Sequence, residues 1–152
     1  MRLLIAAVGR LKQGPERDLF RHYLGRTEMA GNKLGLAPVT VIEVPESRGP
    51  TAAARTAAEA MVMLGKVPPS HKLICLDREG DQLGSAEFAG AIGKYRDSGT
   101  PGLAFLVGGA EGLAPEVLAR ADLKLSLGRM TLPHGFARIV LAEQLYRAAT
   151  II

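Results

Sequence analysis

Short apolar runs alternate with helical patterns along the whole chain. Each run is rich in aliphatic residues and ends at a glycine, a proline or a polar segment, which is typical of buried strands. The runs predict strands over Arg2–Val8, Val39–Val44, Lys72–Leu76, Leu103–Val107 and Leu123–Leu127. The segments between and after them predict helices from Pro15 through Leu24 and over Thr51–Leu64, Ser85–Asp97, Pro115–Arg120 and Phe136–Ile151.

The order of these elements indicates a fold class. Strands that alternate with helices, and that are mostly apolar on both faces, favour an α/β fold with a mainly parallel sheet flanked by helices. The polar stretch Asp77–Gly84 is expected to be a loop at the carboxyl end of the third strand. No linker, repeat or low-complexity tract divides the chain, so we expect a single domain over residues 1–152.

Composition excludes several classes of protein. Hydrophobic residues make up 47% of the 152 residues and charged residues 22%, which excludes a disordered chain. Aromatic residues are only 5%, which argues against a binder built on aromatic stacking platforms. One cysteine, Cys75, and three scattered histidines predict neither a disulfide framework nor a zinc site. With no membrane span or signal peptide apparent, we expect a cytoplasmic protein without a membrane partner.

Three loops are the candidates for chemistry. In a parallel α/β sheet, ligands bind beyond the carboxyl ends of the strands. The segments that follow three of the predicted strands there are 76–80, 107–113 and 127–134. The Gly-rich segment at 108–109 fits close backbone approach to a ligand, or simply a steric turn. The chain contains neither GxGxxG after its first strand nor GxxxxGK[ST], which argues against a nicotinamide dehydrogenase and a P-loop NTPase.

Charged side chains near the last loop form a second set of candidates. His134 fits a general base or a packed histidine at a helix start, and Arg138 lies one turn further on. Arg147 is spaced to pair with Glu143 as an ordinary surface ion pair. The net charge of +4 permits a nucleic-acid partner. A basic first quarter provides either a solvated face or a phosphate contact surface, and consists of Arg10, Lys12, Arg17, Arg21 and Arg26.

Longer motifs resemble one family across nearly the whole chain. LDREGDQLGSAEFA at 76–89, LVGGAEGL at 106–113 and LSLGRMTLPHGFARIVLAEQLYRA at 125–148 resemble the RlmH family in order and spacing. The start, MRLLIAAVGRLK, is similar to that family's first strand and turn. These proteins are 23S ribosomal RNA pseudouridine-N3 methyltransferases of the SPOUT class.

The resemblance implies a fold, a cofactor and partners. It implies a C-terminal trefoil knot, S-adenosylmethionine bound in the knot loops, no metal, a homodimer, and the assembled ribosome with its 23S rRNA as substrate. Backbone groups would hold the adenine, and the glycines would leave room for it. The matching cofactor positions are Leu76, Gly108, Leu127, Gly128, Arg129, Met130, Thr131 and Leu132.

The expected reaction assigns hypothetical roles to three side chains. The N3 nitrogen of pseudouridine must lose a proton before it attacks a methyl group, and its developing negative charge needs stabilisation. Arg138 or Arg147 could supply the positive charge, and His134 or a water could accept the proton. Relatives usually continue with a His-Pro-Tyr-His tail, which is absent from this sequence. Two alternatives are therefore a non-catalytic protein that binds cofactor and ribosome, and a related knotted tRNA methyltransferase.

Overall fold

Ten elements alternate along the chain in the computed structural model, which describes residues 1–152. The strands are β1 (Arg2–Val8), β2 (Val39–Val44), β3 (His71–Gln82), β4 (Gly102–Val107) and β5 (Leu123–Ser126). The helices are α1 (Pro15–Asn32), α2 (Ala52–Lys66), α3 (Ser85–Asp97), α4 (Pro115–Leu118) and α5 (His134–Ile151). All five strands are parallel, in the order β2-β1-β4-β3-β5, which confirms the predicted fold class.

Two apolar layers cover the sheet because successive strand residues point to opposite faces. Leu3 and Ile5 of β1 pack with Leu103 and Phe105 of β4 under α1, α3 and α5. The alternate residues of the same strands pack with Ala60 and Met63 of α2 and with Val117 of α4. The central strands are therefore buried on both sides, as their unbroken apolar runs predicted.

The third strand is longer than predicted. Asp77–Gly84 was expected to be a loop, but β3 pairs with β5 again at Asp81 and Gln82 after an irregularity that follows Leu76. A β-carbon at Gly80 would lie only 2.6 Å from the backbone of Lys124, so a glycine is required where β3 touches β5. The close approach lets the polar segment return to the ladder, so the predicted loop is wrong over most of its length.

The last helix begins two residues before its predicted start. Pro133 takes an extended conformation at the N-cap, and the first helical residue is His134. Ala137 donates its backbone N–H to the Pro133 carbonyl at 3.0 Å, which closes the first turn. The candidate base is therefore the first residue of α5. No helix of the chain is both long and apolar enough to cross a bilayer.

Candidate active site

The structure brings the three candidate loops together at one edge of the sheet. β3 lies between β4 and β5, with Cys75 opposite Leu106 and Leu76 opposite Leu125. The predicted positions Gly108 and Leu127 follow these paired residues by two positions each. Leu76 lies at the irregularity of β3, Gly108 follows β4 and the 127–132 loop follows β5. The three are therefore neighbours on the side of the sheet toward which the strands run, where parallel α/β folds bind ligands.

Side-chain hydrogen bonds hold the 127–132 loop at its start and near its end. The buried Ser126 hydroxyl accepts a hydrogen bond from Gly128 N at 3.1 Å and lies 3.0 Å from the Arg78 carbonyl, to which it can donate. The Arg78 guanidinium donates to the Thr131 hydroxyl at 2.7 Å. These contacts join the segment after Leu76 to the loop after β5, so two of the candidate loops form one unit.

The backbone of this loop is free to bind a ligand. The N–H groups of residues 129–132 make no hydrogen bond to any group of the chain. Side chains here also face outward, and Met130 is 83% exposed. Peptide groups without partners in the protein must bond to water or to a ligand. Consecutive free donors suit a flat heterocycle that presents nitrogen or oxygen acceptors along its edge.

The two predicted cofactor positions that are glycines differ in what surrounds them. Gly128 has φ +126°, and nothing lies within 4 Å of the place where its β-carbon would be, so its surroundings are open. A β-carbon at Gly108 would lie 2.5 Å from the backbone of Gly112. Gly108 is therefore required by the closure of its own loop. The expectation that the glycines leave room for a ligand fits Gly128 and not Gly108.

The loop after β5 ends with His134 close to a distant strand. β5 is an edge strand, and β1 lies three strands away from it, which corresponds to about 14 Å at the usual strand spacing. His134 Nε2 nevertheless lies 3.7 Å from the β-carbon position of Gly9, the residue that follows β1. The loop therefore runs past the ends of the intervening strands and connects the predicted cofactor positions with the predicted base.

Arg138 is turned into the protein. It was a candidate to supply positive charge to the reacting base, but its side chain is 0% exposed. Its guanidinium donates to the carbonyls of Val8 at 2.9 Å and Gly9 at 2.6 Å, and to Glu43 Oε2 at 2.9 Å. The charge of Arg138 is thus used inside the fold, where it ties α5 to the ends of β1 and β2.

Glu43 completes this buried connection. Its Oε2 accepts the Arg138 bond and also the backbone N–H of Leu11 at 2.8 Å. Burial raises the pKa of Glu43, but the Leu11 hydrogen bond and the Arg138 guanidinium outweigh it, so the pKa lies below its ordinary value. Glu43 is therefore the ionised partner that fixes the Gly9–Leu11 turn.

Arg147 lies apart from the other two candidates. It pairs with Glu143 one turn earlier, with Nε–Oε1 at 3.1 Å, as the surface reading predicted. The pair raises the pKa of Arg147, first through the hydrogen bond and then through charge attraction. The rise per residue of a helix places Arg147 about 20 Å along α5 from His134. Within one chain, these two side chains cannot serve the same reacting base.

The basic first quarter is only partly free. Arg26 donates to the Tyr146 hydroxyl at 2.7 Å, and its guanidinium lies 4.6 Å from the centre of that ring. It therefore joins α1 to α5. The other four members make no ion pair or side-chain hydrogen bond within the chain, and they are Arg10, Lys12, Arg17 and Arg21.

A cleft of about 330 Å³ opens between the start of α3, the end of β5 and α5. It shares Leu127 and Gly128 with the predicted cofactor positions but does not include Leu76 or Gly108. The loop geometry and free backbone groups identify the candidate site more directly than this cavity does. Nowhere in the chain do three or more His, Cys, Asp or Glu side chains converge in a way that could hold a metal ion.

Comparisons with known proteins agree with this geometry. Residues 1–152 match the family described as predicted SPOUT methyltransferase. The chain is 47% identical to the ribosomal RNA large subunit methyltransferase H of Bradyrhizobium sp. strain ORS 278, over all of this chain and 94% of that protein. Identity to the protein of the same name from Rhodopseudomonas palustris strain CGA009 is 49%, over all of this chain and 95% of that protein. The chain belongs to the RlmH family of SPOUT methyltransferases.

Membership of the RlmH family confirms the resemblance and implies the C-terminal knot. A solved structure with the same fold is the probable methyltransferase from Bordetella pertussis Tohama I, with a TM-score of 0.51. It is 16% identical, and the alignment covers 99% of this chain and 96% of that one. This likeness supports the SPOUT fold.

Sequence reasoning missed several residues that support the candidate site. Glu43, Ser126 and Arg78 hold the loop and the β1 turn, and none of them was singled out. The burial of Arg138 did have a signal, because Leu141, Ala142 and Leu145 follow it at helical spacing and are all buried. The contact with Glu43 joins residues far apart in sequence, and only the strand order brings them together.

Proposed function

We propose that the protein transfers a methyl group from S-adenosylmethionine to N3 of a pseudouridine in 23S rRNA within the assembled ribosome. The observation that carries the proposal is the 127–132 loop, whose free backbone groups lead directly to His134. The names of the relatives support large-subunit rRNA as the substrate. The resemblance in the motifs supports the N3 position.

The residues of the three neighbouring loops fit the cofactor. The N–H groups of residues 129–132 have no partner in the chain and suit the ring nitrogens of an adenine. Gly128 leaves open space at the start of the loop, and the Arg78–Thr131 bond fixes its far end. Leu76, at the irregularity of β3, and Gly108, directly after β4, would border the same space. When bound, S-adenosylmethionine supplies an already activated sulfonium methyl group.

The proposed acceptor for the proton of the target base is His134. An imide nitrogen is a poor nucleophile until its proton leaves, so an acceptor within reach contributes to the rate. His134 is half-buried at the start of α5, directly after the loop. Arg138 acts as a positioning residue in this scheme, because its guanidinium is occupied by Val8, Gly9 and Glu43.

Arg147 can contribute to the same reaction only from a second copy of the chain. It is too far along α5 to reach a base beside His134 of its own chain. The homodimer implied by the resemblance supplies a second Arg147, and we propose that it stabilises charge on the target base. Arg147→Ala at saturating cofactor is expected to lower turnover, and unchanged turnover would remove this role.

The free basic residues of the first quarter are the proposed RNA contact. Charge reversal at Arg17 and Arg21 is expected to raise KM for ribosomes several-fold while leaving cofactor affinity unchanged, because phosphate contacts contribute to binding rather than to chemistry. The slope of activity against salt concentration should also become shallower. Charge reversal at Arg120, an exposed arginine after α4, is the control. Equal KM values for the two variants would place the RNA on another surface.

The proposed function is tested by methyl transfer. Labelled S-adenosylmethionine is offered with 70S ribosomes that lack the modification, and with tRNA as a parallel acceptor. We expect label at a single pseudouridine of 23S rRNA. Label in tRNA alone would contradict the proposal, and cofactor binding without transfer would identify a non-catalytic binder.

A further inference from the structure

We propose that Glu46 is the carboxylate partner of His134, which orients the imidazole and stabilises its protonated form. The inference rests on the proposed function, in which His134 accepts a proton. Glu46 lies in the segment between β2 and α2, a region to which the sequence motifs assign no role. Its Oε1 is 3.1 Å from the β-carbon position of Gly9, and His134 Nε2 is 3.7 Å from the same point. Both side chains thus end within 4 Å of the same point above Gly9. They make no hydrogen bond or ion pair with each other in this structure, and the proposed contact forms when His134 takes up the proton.

The segment that carries Glu46 is held in place on both sides. Before it, the Val44 carbonyl accepts the N–H of Gly9 at 2.8 Å. After it, Ser47 N donates to Glu59 Oε2 at 2.9 Å, and Glu59 is buried. Arg55 fixes the next turn by donating to the Gly49 carbonyl at 2.9 Å. A backbone held on both sides keeps the exposed Glu46 side chain within reach of His134, unlike one on an unsupported loop.

Glu46 is the carboxylate that shares a close neighbour with His134 Nε2. Glu43 is occupied by Leu11 and Arg138. Glu16 and Glu46 make no hydrogen bond or ion pair in the chain, but Glu16 approaches Gly135 and not the Gly9 position that Glu46 shares with His134 Nε2.

The positive charges around His134 favour a carboxylate at this position. His134 stands at the positive end of the α5 dipole, and the Arg138 guanidinium lies beside the same point above Gly9. A proton taken up by His134 adds a further positive charge to this place, so a nearby carboxylate stabilises the product of the proton transfer.

The proton transfer balances with two groups in defined roles. A neutral imidazole has one protonated and one unprotonated nitrogen. In the proposed tautomer, Nε2 carries the hydrogen on the side of Glu46 and Nδ1 carries the lone pair that accepts the proton. The N3–H bond of the base breaks, the proton bonds to Nδ1, and the electron pair remains on N3. This is the arrangement in which a third group orients a general base.

A double-mutant cycle tests the coupling. Glu46→Gln is expected to lower kcat by at least about tenfold, with KM for ribosomes and Kd for S-adenosylmethionine unchanged. Glu46→Asp should recover part of the activity. In a His134→Ala background, Glu46→Gln should have no further effect, because the two residues act as a unit. Glu116→Gln, which changes an exposed carboxylate on α4, is the matched control.

The outcomes separate this inference from the proposed function. If His134→Ala lowers kcat while Glu46→Gln behaves like the control, or if the two effects multiply, the Glu46 role is overturned and the proposed function stands. If His134→Ala retains full kcat, His134 is not the proton acceptor and the Glu46 role falls with it, while methyl transfer stands. If the unchanged protein transfers no methyl group to 23S rRNA, the proposed function itself fails.

Discussion

The Gly9–Leu11 turn and the 127–132 loop lie at the same edge of the sheet and use their backbones in opposite ways. In the turn, Gly9 N, Leu11 N and the Gly9 carbonyl all have partners within the protein. In the loop, the N–H groups of residues 129–132 have none. The turn is a fixed support for the start of α5, and the loop is a surface kept available for a ligand. A binding loop can leave its own polar groups unpaired when the segment that it leads into is held firmly elsewhere.

Removing Arg138 should destabilise the Gly9–Leu11 turn and have the largest effect of the predicted changes. Arg138→Met removes the donor that Arg138 provides to two carbonyls and to the Glu43 carboxylate. This loss is expected to cost about 3 kcal/mol of unfolding free energy. Urea denaturation measures this loss. Arg147→Met removes a solvent-exposed ion pair instead, and the midpoint of unfolding should hardly move. Equal losses for the two variants would show that the buried connection does not hold the fold.

A substitution at Gly128 should weaken ligand binding by the 127–132 loop more than it destabilises the fold. An alanine is strained at φ +126°, so the loop is expected to leave its ligand-ready conformation and Kd for S-adenosylmethionine to rise about tenfold. Gly99→Ala is the matched control, since Gly99 also has positive φ and open surroundings but lies at the opposite edge of the sheet. That variant should lose stability and keep its affinity in titration calorimetry. Unchanged affinity in Gly128→Ala would remove the loop from the cofactor site.

The pH dependence of stability should sharpen the comparison by a smaller amount. The pKa of Glu43 lies below its ordinary value of 4.5, so its ionised form stabilises the fold above that pH. The contribution is lost as pH falls through the lowered pKa. Between about pH 5 and 3, the free energy of unfolding should therefore decline less steeply in Glu43→Gln than in the unchanged protein. Identical slopes would show that Glu43 does not contribute its charge.

The elements of the fold followed from local pattern, and the connections between them did not. Nearly unbroken apolar runs predicted the central strands β1 and β4, which are covered on both faces and need no polar positions. The edge strands β2 and β5 contain polar residues and were predicted from their aliphatic residues. The return of β3 to the ladder at Asp81 depends on Gly80 touching β5, a contact that polar composition conceals. The longer motifs predicted the cofactor positions, and these remain a prediction although the structure places them side by side.

The roles of charged residues were harder to predict. Arg138 and Arg147 both appear as arginines one turn after a polar residue, yet one is buried and the other is exposed. The apolar residues at helical spacing after Arg138 indicate its burial, but its acceptors come from β1 and β2. Cys75 was easier to predict, because its position inside an apolar strand indicates an inert core thiol. Burial raises the pKa of Cys75 to about 11, which keeps the thiol unreactive.

The central claim is that the free loop and His134 serve methyl transfer to large-subunit rRNA. The most direct measurement is the transfer of labelled methyl groups to ribosomes that lack the modification, comparing the unchanged protein with Gly128→Ala and His134→Ala. We expect the unchanged protein to label one pseudouridine of 23S rRNA. Gly128→Ala should bind the cofactor more weakly and therefore need a higher cofactor concentration for the same labelling. His134→Ala should lose turnover even at saturating cofactor. Label that appears only in tRNA, or that is equal in all three proteins at every cofactor concentration, would contradict the account.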